Sequence, residues 1–225
     1  MSREILIELV KVIPTILWIL FIVVILIIYR RYIGRMLPRT SGFKAFGLEL
    51  TFFEERLDRA SEKQAQKISK SSEERLDLAT ARREIAISEK DRSQLFKRLS
   101  WVAPILEGAQ ILWVDDNPEN NIQETSILRS FGIIVDQAES TENALHMLGK
   151  KKYDAIISDM ARNGVSDEGL RFVAEMRKRD MHQRTIFYVG LFFESERLPA
   201  GAFAITNRPD HLLHYVLDAL ERARG

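Results

Sequence analysis

Three acids are placed where they could do chemistry together. Asp115 and Asp116 follow the apolar run ILWV, and Asp159 follows the apolar run AIIS. Carboxylates held close repel one another, and a hard divalent cation relieves that. Magnesium takes oxygen ligands from one or two carboxylates plus waters. A carboxylate beside such a cation is a nucleophile toward a phosphoryl group. A plainer role is open to the same residues. Asn117 is a good N-cap, Pro118 a good first helical residue, and nearby acids suit a helix dipole. Asp159 alone could cap a strand end. No Walker, dinucleotide-binding, hydrolase-elbow or kinase motif accompanies them. The chain has no cysteine, which excludes disulfides, Cys zinc sites and thiol catalysis. Its 225 residues carry a formal net charge of +1, so it is not a nucleic-acid-binding polycation. His211 and His214 share a helix face but have no further ligand pattern, and His146 and His182 read as surface residues.

The elements that must position these acids alternate in type. Strands are expected at 111–114, 133–136, 155–158, 185–189 and 202–205, and helices at 118–130, 141–148, 168–179 and 210–222. Such alternation implies an α/β domain, a five-stranded parallel doubly wound sheet covering residues 111–225. Ligands of open α/β sheets sit at the carboxyl ends of the strands, where all three acids fall. Trp113 is read as core.

The run VDDNPENN, the acid in IISDM, and the segments AESTENALHML, YDAIISDM and GAFAITNRP…HLL, in that order, resemble a bacterial response-regulator receiver domain. The resemblance implies that Asp115 and Asp116 hold magnesium, with Asp159 completing the metal site and accepting phosphate from a histidine kinase. Three departures stand out. Gly190 replaces the family's Thr or Ser after strand four, and Arg208 replaces the Lys before the Pro after strand five. These are the positions that bind the phosphoryl oxygens in the family. Arg does not substitute simply for Lys, because its planar fork demands other geometry. Arg208 reads either as a surface cation or as an ion-pair partner of Asp159. The loop 161–168 is also longer than the family's and lacks its Pro.

Upstream lies a different kind of sequence. Residues 12–29 read VIPTILWILFIVVILIIY without a charge. With Leu9 and Val10 that meets the roughly 17–25 apolar residues of a transmembrane helix. No small-residue cleavage site follows it, which argues against a signal peptide. Arg30, Arg31, Arg35, Arg39 and Lys44 follow it with no acid before Glu49. The positive-inside rule then places residues 1–11 outside and the rest in the cytoplasm, with the basic stretch near anionic lipid. The expected location is the bacterial inner membrane, single-pass.

Residues 30–53 are expected to be a basic juxtamembrane segment with a short strand, because Phe46, Leu48, Leu50 and Phe52 alternate with Gly47, Glu49 and Thr51. A lone strand needs a partner, so it would pair between copies, or be an extended linker. Residues 54–100 are rich in helix formers and free of Gly and Pro, which predicts a helical stalk broken near Lys70-Ser71-Ser72. Its thin apolar stripe makes it either a weak coiled coil joining copies or a solvated spacer. Residues 101–110, with Pro104 and Gly108, read as a linker.

These features imply a membrane-anchored signalling protein, not an enzyme. Its atypical receiver head would act as a phosphorylation- or ligand-controlled interaction module of a phosphorelay. The expected partners are membrane lipid, a histidine kinase or another signalling protein, and a second copy through the stalk. The alternative is a membrane effector of a bacterial defence or stress system with a non-phosphorylated pseudo-receiver head. A nucleotide hydrolase on the same sheet ranks lower, because no Glu or His stands as an evident base.

Overall fold

Short runs of buried Ile, Leu, Val, Ala and Phe build a parallel sheet in the order β2-β1-β3-β4-β5. The computed structural model describes residues 42–71, 77–190 and 198–224. The strands are β1 (Gln110–Val114), β2 (Ile134–Ala138), β3 (Ala155–Ser158), β4 (Arg184–Tyr188) and β5 (Ala204–Thr206). Among them run a 3-10 turn (Pro118–Asn121), α4 (Ile122–Ser130), α5 (Thr141–Lys150), α6 (Glu168–Lys178) and α7 (Pro209–Arg224). Every strand pairing is parallel, with Val114 opposite both Ala138 and Ser158. The buried centre of the sheet is Leu112, Val114 and Ile156, with Leu145 and Leu148 of α5 and Phe172 and Met176 of α6 packed on it. Trp113 is 1% exposed and meets Tyr188 edge-on at 6.1 Å. The expected α/β fold is therefore present.

Among the described residues three further helices precede the sheet: α1 (Gly42–Ser71), α2 (Leu78–Glu84) and α3 (Glu89–Leu106). Residues 51–225 form one compact unit and residues 1–50 another. The apolar run 12–29 and the basic residues up to 41 lie outside the described residues. Among the described residues no helix is long and apolar enough to cross a membrane.

Two expectations are corrected here. The alternating segment around Phe46–Phe52 is helical rather than a strand, being part of α1. A helix satisfies its backbone groups internally, whereas a lone strand leaves a row of them unpaired. Phe53, Leu57, Ala60, Gln64 and Ile68 also recur at helical spacing, and all are buried. The second correction concerns 101–110. Residues 101–106 are the last turns of α3, with Pro104 inside the helix. Only a few residues remain as linker.

The stalk is not a solvated spacer: among the described residues most of its apolar stripe is covered within the chain. Ala65 and Ile68 pack with Ala81 and Ile85 around α2. Phe53 meets Phe96 of α3 at 5.4 Å, and Phe96 meets Phe131 after α4 at 6.3 Å. Arg98 of α3 bonds Asp218 at 2.5 Å and Glu221 at 3.1 Å on α7. Arg56 reaches Gln123 at 2.9 Å. Burying each large apolar side chain stabilises the fold by roughly 1.5–3 kcal/mol.

Leu57→Ala should therefore lower the stability of the whole chain by about 2–5 kcal/mol. Urea unfolding of the protein reads this. A change below about 0.5 kcal/mol, typical of a surface position, would mean that α1 stands free.

Candidate functional site

Parallel pairing decides which acids meet. β1 and β3 are neighbours, so the residues just past their carboxyl ends are adjacent. Asp115 and Asp159 are 3% and 7% exposed, while Asp116 points outward and is exposed. The backbone N–H of Asp159 donates to Val114 O at 2.9 Å, which locks the two strand ends together.

Asp115 is held on both oxygens. Oδ1 accepts the backbone N–H of Asn117 at 2.7 Å, and Oδ2 accepts Asn121 Nδ2 at 2.8 Å. Burial raises its carboxyl above the usual range, and the Asp159 charge adds to this. The two hydrogen bonds and the nearby Lys67 pull the other way. Asp116 Oδ2 accepts the backbone N–H of Asn163 at 2.7 Å. Asn163 (φ 52°) and Gly164 (φ 78°) both lie in the left-handed region, between mutual backbone bonds of Arg162 and Val165. That is the geometry of a two-residue hairpin turn, for which Asn-Gly is the preferred pair. The long 161–168 loop thus folds back on Asp116.

Asp159 divides its two oxygens between different partners. Oδ1 accepts the backbone N–H of Met160 at 2.8 Å, and Oδ2 pairs with the ammonium of Lys67 at 2.9 Å. Lys67 belongs to α1, one turn after Gln64, whose side-chain amide donates to Val189 O beside Gly190 at the end of β4. Below the site Arg162 is almost fully buried at 1% exposure. It donates to Ser158 Oγ at 2.6 Å, Asp159 O at 2.5 Å and Thr141 Oγ1 at 3.0 Å. Burial lowers its guanidinium pKa, offset by Glu168, Asp159, Asp115 and Asp116. Gly169 starts α6 against this corner, where an added Cβ would stand 2.8 Å from Asp159 O.

Arg208 goes elsewhere. Its Nη2 and Nε grip the buried Asp210 at 2.9 and 3.2 Å, and its Nη1 donates to Glu84 O at 3.0 Å. The ion-pair partner of Asp159 is Lys67 and not Arg208. The reason is proximity: Asp210 lies two residues away and fits the guanidinium fork on both oxygens.

Among the described residues no three acidic or histidine side chains converge closely enough for a cation. Asp116 is turned to Asn163, and an ammonium stands beside Asp159 where a cation's charge is needed. His214 lies against Arg98 at 3.1 Å, outside this site.

One buried acid lies near the site without a cation of its own. Glu124 of α4 accepts Tyr188 Oη at 2.8 Å, while its Oε2 has no partner. Burial raises its pKa above the usual carboxylate range. The neutral form is the one the fold favours. Its stabilising contribution is complete below the ordinary carboxylate pKa and is lost as pH rises through the raised value. Glu124→Gln should therefore stabilise the protein by about 1 kcal/mol or more near pH 8, with the gain vanishing near pH 4. Urea midpoints at the two pH values test this, and an equal difference at both would show that Glu124 does not ionise on unfolding.

Comparison with known proteins bears on the same segment. Residues 111–198 match the family described as response regulator receiver domain. No curated protein matches the chain. Solved structures similar to it include the response regulator TrrA of Thermotoga maritima in complex with Mg2+-BeF. It is 26% identical with a TM-score of 0.43, over 49% of this chain and 98% of that one. A CheY-like receiver domain protein of Methanospirillum hungatei is 21% identical with a TM-score of 0.45, over 52% and 97%. A complex of the histidine kinase ThkA with TrrA also matches, at 26% identity and a TM-score of 0.44, over 50% and 98%. Residues 111–198 of this chain are a receiver domain.

Proposed function

We propose that the chain is a membrane-anchored signalling protein, not an enzyme, whose receiver domain accepts a phosphoryl group at Asp159 in a two-component pathway. The observation that carries this is the placement of Asp159. It lies at the carboxyl end of β3 beside Asp115, with one oxygen fixed by Met160 N and the other facing a cation. A histidine kinase is the natural donor, as the receiver family and the ThkA–TrrA complex make reasonable. The uncharged run 12–29 and the basic residues after it support an anchor in the bacterial inner membrane with the receiver in the cytoplasm. Magnesium belongs in the assay because Asp115 and Asp116 are the residues of the right type to meet it.

A second reading has its own observation. Gly190 supplies no hydroxyl, Arg208 is committed to Asp210, and Lys67 already neutralises Asp159. Those features favour a pseudo-receiver that is never phosphorylated and serves as a sensing head of a defence or stress effector.

One experiment separates the two. The detergent-solubilised full chain is incubated with magnesium and acetyl phosphate, and its intact mass is measured. The first reading expects one added phosphoryl group that Asp159→Asn abolishes. No adduct, or an adduct that survives this substitution, favours the second. Protease treatment of spheroplasts should leave the receiver domain intact until the membrane is opened; cleavage in intact spheroplasts would reverse the assigned orientation.

A further inference from the structure

We propose that Lys67 is the phosphoryl-binding cation of this site, supplied from α1 outside the receiver segment, and that the lysine-lined cleft beside it admits the donor. The inference rests on the reading of Asp159 as phosphoacceptor. Four observations carry it.

The first is which oxygen is available. Asp159 Oδ1 is held by the backbone N–H of Met160, whereas the partner of Oδ2, Lys67 at 2.9 Å, is a side chain that can move with an attacking oxygen. The second is that Arg208, the cation on the loop after β5, is committed. It is bidentate to Asp210 and bonded to Glu84 O. The third is that Lys67 is held in register. Gln64, one turn earlier, is 5% exposed and donates to Val189 O, while Ala65 and Ile68 are fully buried on α2. The fourth is the cleft itself. A space of about 260 Å³ is lined by Lys63, Gln64, Lys67 and Lys70 of α1 and by Asn120 and Asn121. Asn121 is the residue that bonds Asp115. Three ammonium groups and several amides beside a buried carboxylate suit a phosphoryl dianion. Lys63 also donates to Glu119 O at 2.5 Å, which keeps the cleft wall against the 118–121 turn.

With an acyl phosphate, Asp159 Oδ2 forms a bond to phosphorus as the bond from phosphorus to the acyl oxygen breaks. The acyl group leaves as a carboxylate with that electron pair, and no proton moves. Asp159 exchanges one negative charge for a phosphoryl dianion. Lys67 transfers its contact from the carboxylate oxygen to a phosphoryl oxygen and remains the compensating charge.

The test compares wild type, Lys67→Gln, Lys67→Arg and Arg208→Gln as full chains in detergent with magnesium and acetyl phosphate. It reads the initial rate and the lifetime of the adduct, with a thermal melt of each variant. Lys67→Gln should slow adduct formation by at least about tenfold, since positioned charge on a transferring group is worth that or more. Lys67→Arg should recover part of the rate, and Arg208→Gln should stay within about twofold of wild type. Lys67→Gln reacting as fast as wild type, or faster, overturns this proposal while leaving Asp159 as phosphoacceptor. Loss of the adduct in Arg208→Gln with a normal melt overturns it too. No adduct on wild type overturns this proposal together with the reading of Asp159 as phosphoacceptor. Should Lys67→Gln fail to fold, acylation footprinting of wild type decides. The proposal expects Lys67 to be more protected after phosphorylation, and greater reactivity overturns it.

Discussion

The ion pair between Lys67 and Asp159 is the contact on which the arrangement of the described chain depends. Parallel pairing of β1 with β3 forces Asp115 and Asp159 together below the surface. Removing charge from water is expensive unless each charge is paired and hydrogen-bonded. Asp115 is served by Asn117 and Asn121, Asp116 by the Asn163-Gly164 turn, and Arg162 donates from below. Asp159 Oδ2 is served by a side chain from α1, so the acidic edge and the docking of that helix are parts of one electrostatic solution. Lys67 and Asp159 have side chains 29% and 10% exposed. That is the regime in which removing one partner costs more than the intact pair contributes, because the other is left buried and uncompensated.

The departures from the receiver pattern make sense in these terms. Gly190 lacks a side chain to contribute at the end of β4, and Gln64 of α1 reaches the carbonyl of the residue before it. Arg208 is turned to Asp210 and to the end of α2, while Lys67 brings the cation. At both places a residue of α1, Gln64 or Lys67, stands at the same edge of the sheet.

How much of this the amino-acid order reveals depends on range. The strand and helix order was legible because buried parallel strands are continuous apolar runs and each acid sits directly after one. Boundaries shifted by a residue or two: the second strand, expected at 133–136, is Ile134–Ala138. The helical reading of 46–52 was hidden because a short alternation also fits a helix, and α1 is anchored further along, where Phe53 meets Phe96. The Asn163-Gly164 turn carried a readable signal, the dipeptide itself. Lys67 carried none. It is one of many lysines on a polar helix, 92 residues from Asp159, and only the packing of Phe53, Leu57 and Ile68 selects it. Arg208 misled for the opposite reason, since its position in the chain was right and its local partner Asp210 was stronger.

One consequence concerns linkage. α1 is a continuous helix from Gly42 to Ser71, with Lys67 near its end and Phe53 and Leu57 buried before it. Any change of charge at Asp159 alters the free energy of the Lys67 contact, and therefore the free energy with which α1 holds its place. Linkage is reciprocal for equilibrium free energies, so whatever loosens or tightens α1 must alter the free energy of a charge change at Asp159 by the same coupling energy. The size of that coupling is limited by the differential contact that Lys67 makes with a carboxylate and with a phosphoryl dianion. The apolar burial of Phe53, Leu57, Ala60 and Ile68 is indifferent to that charge, so it sets how tightly α1 is held in either state without favouring one.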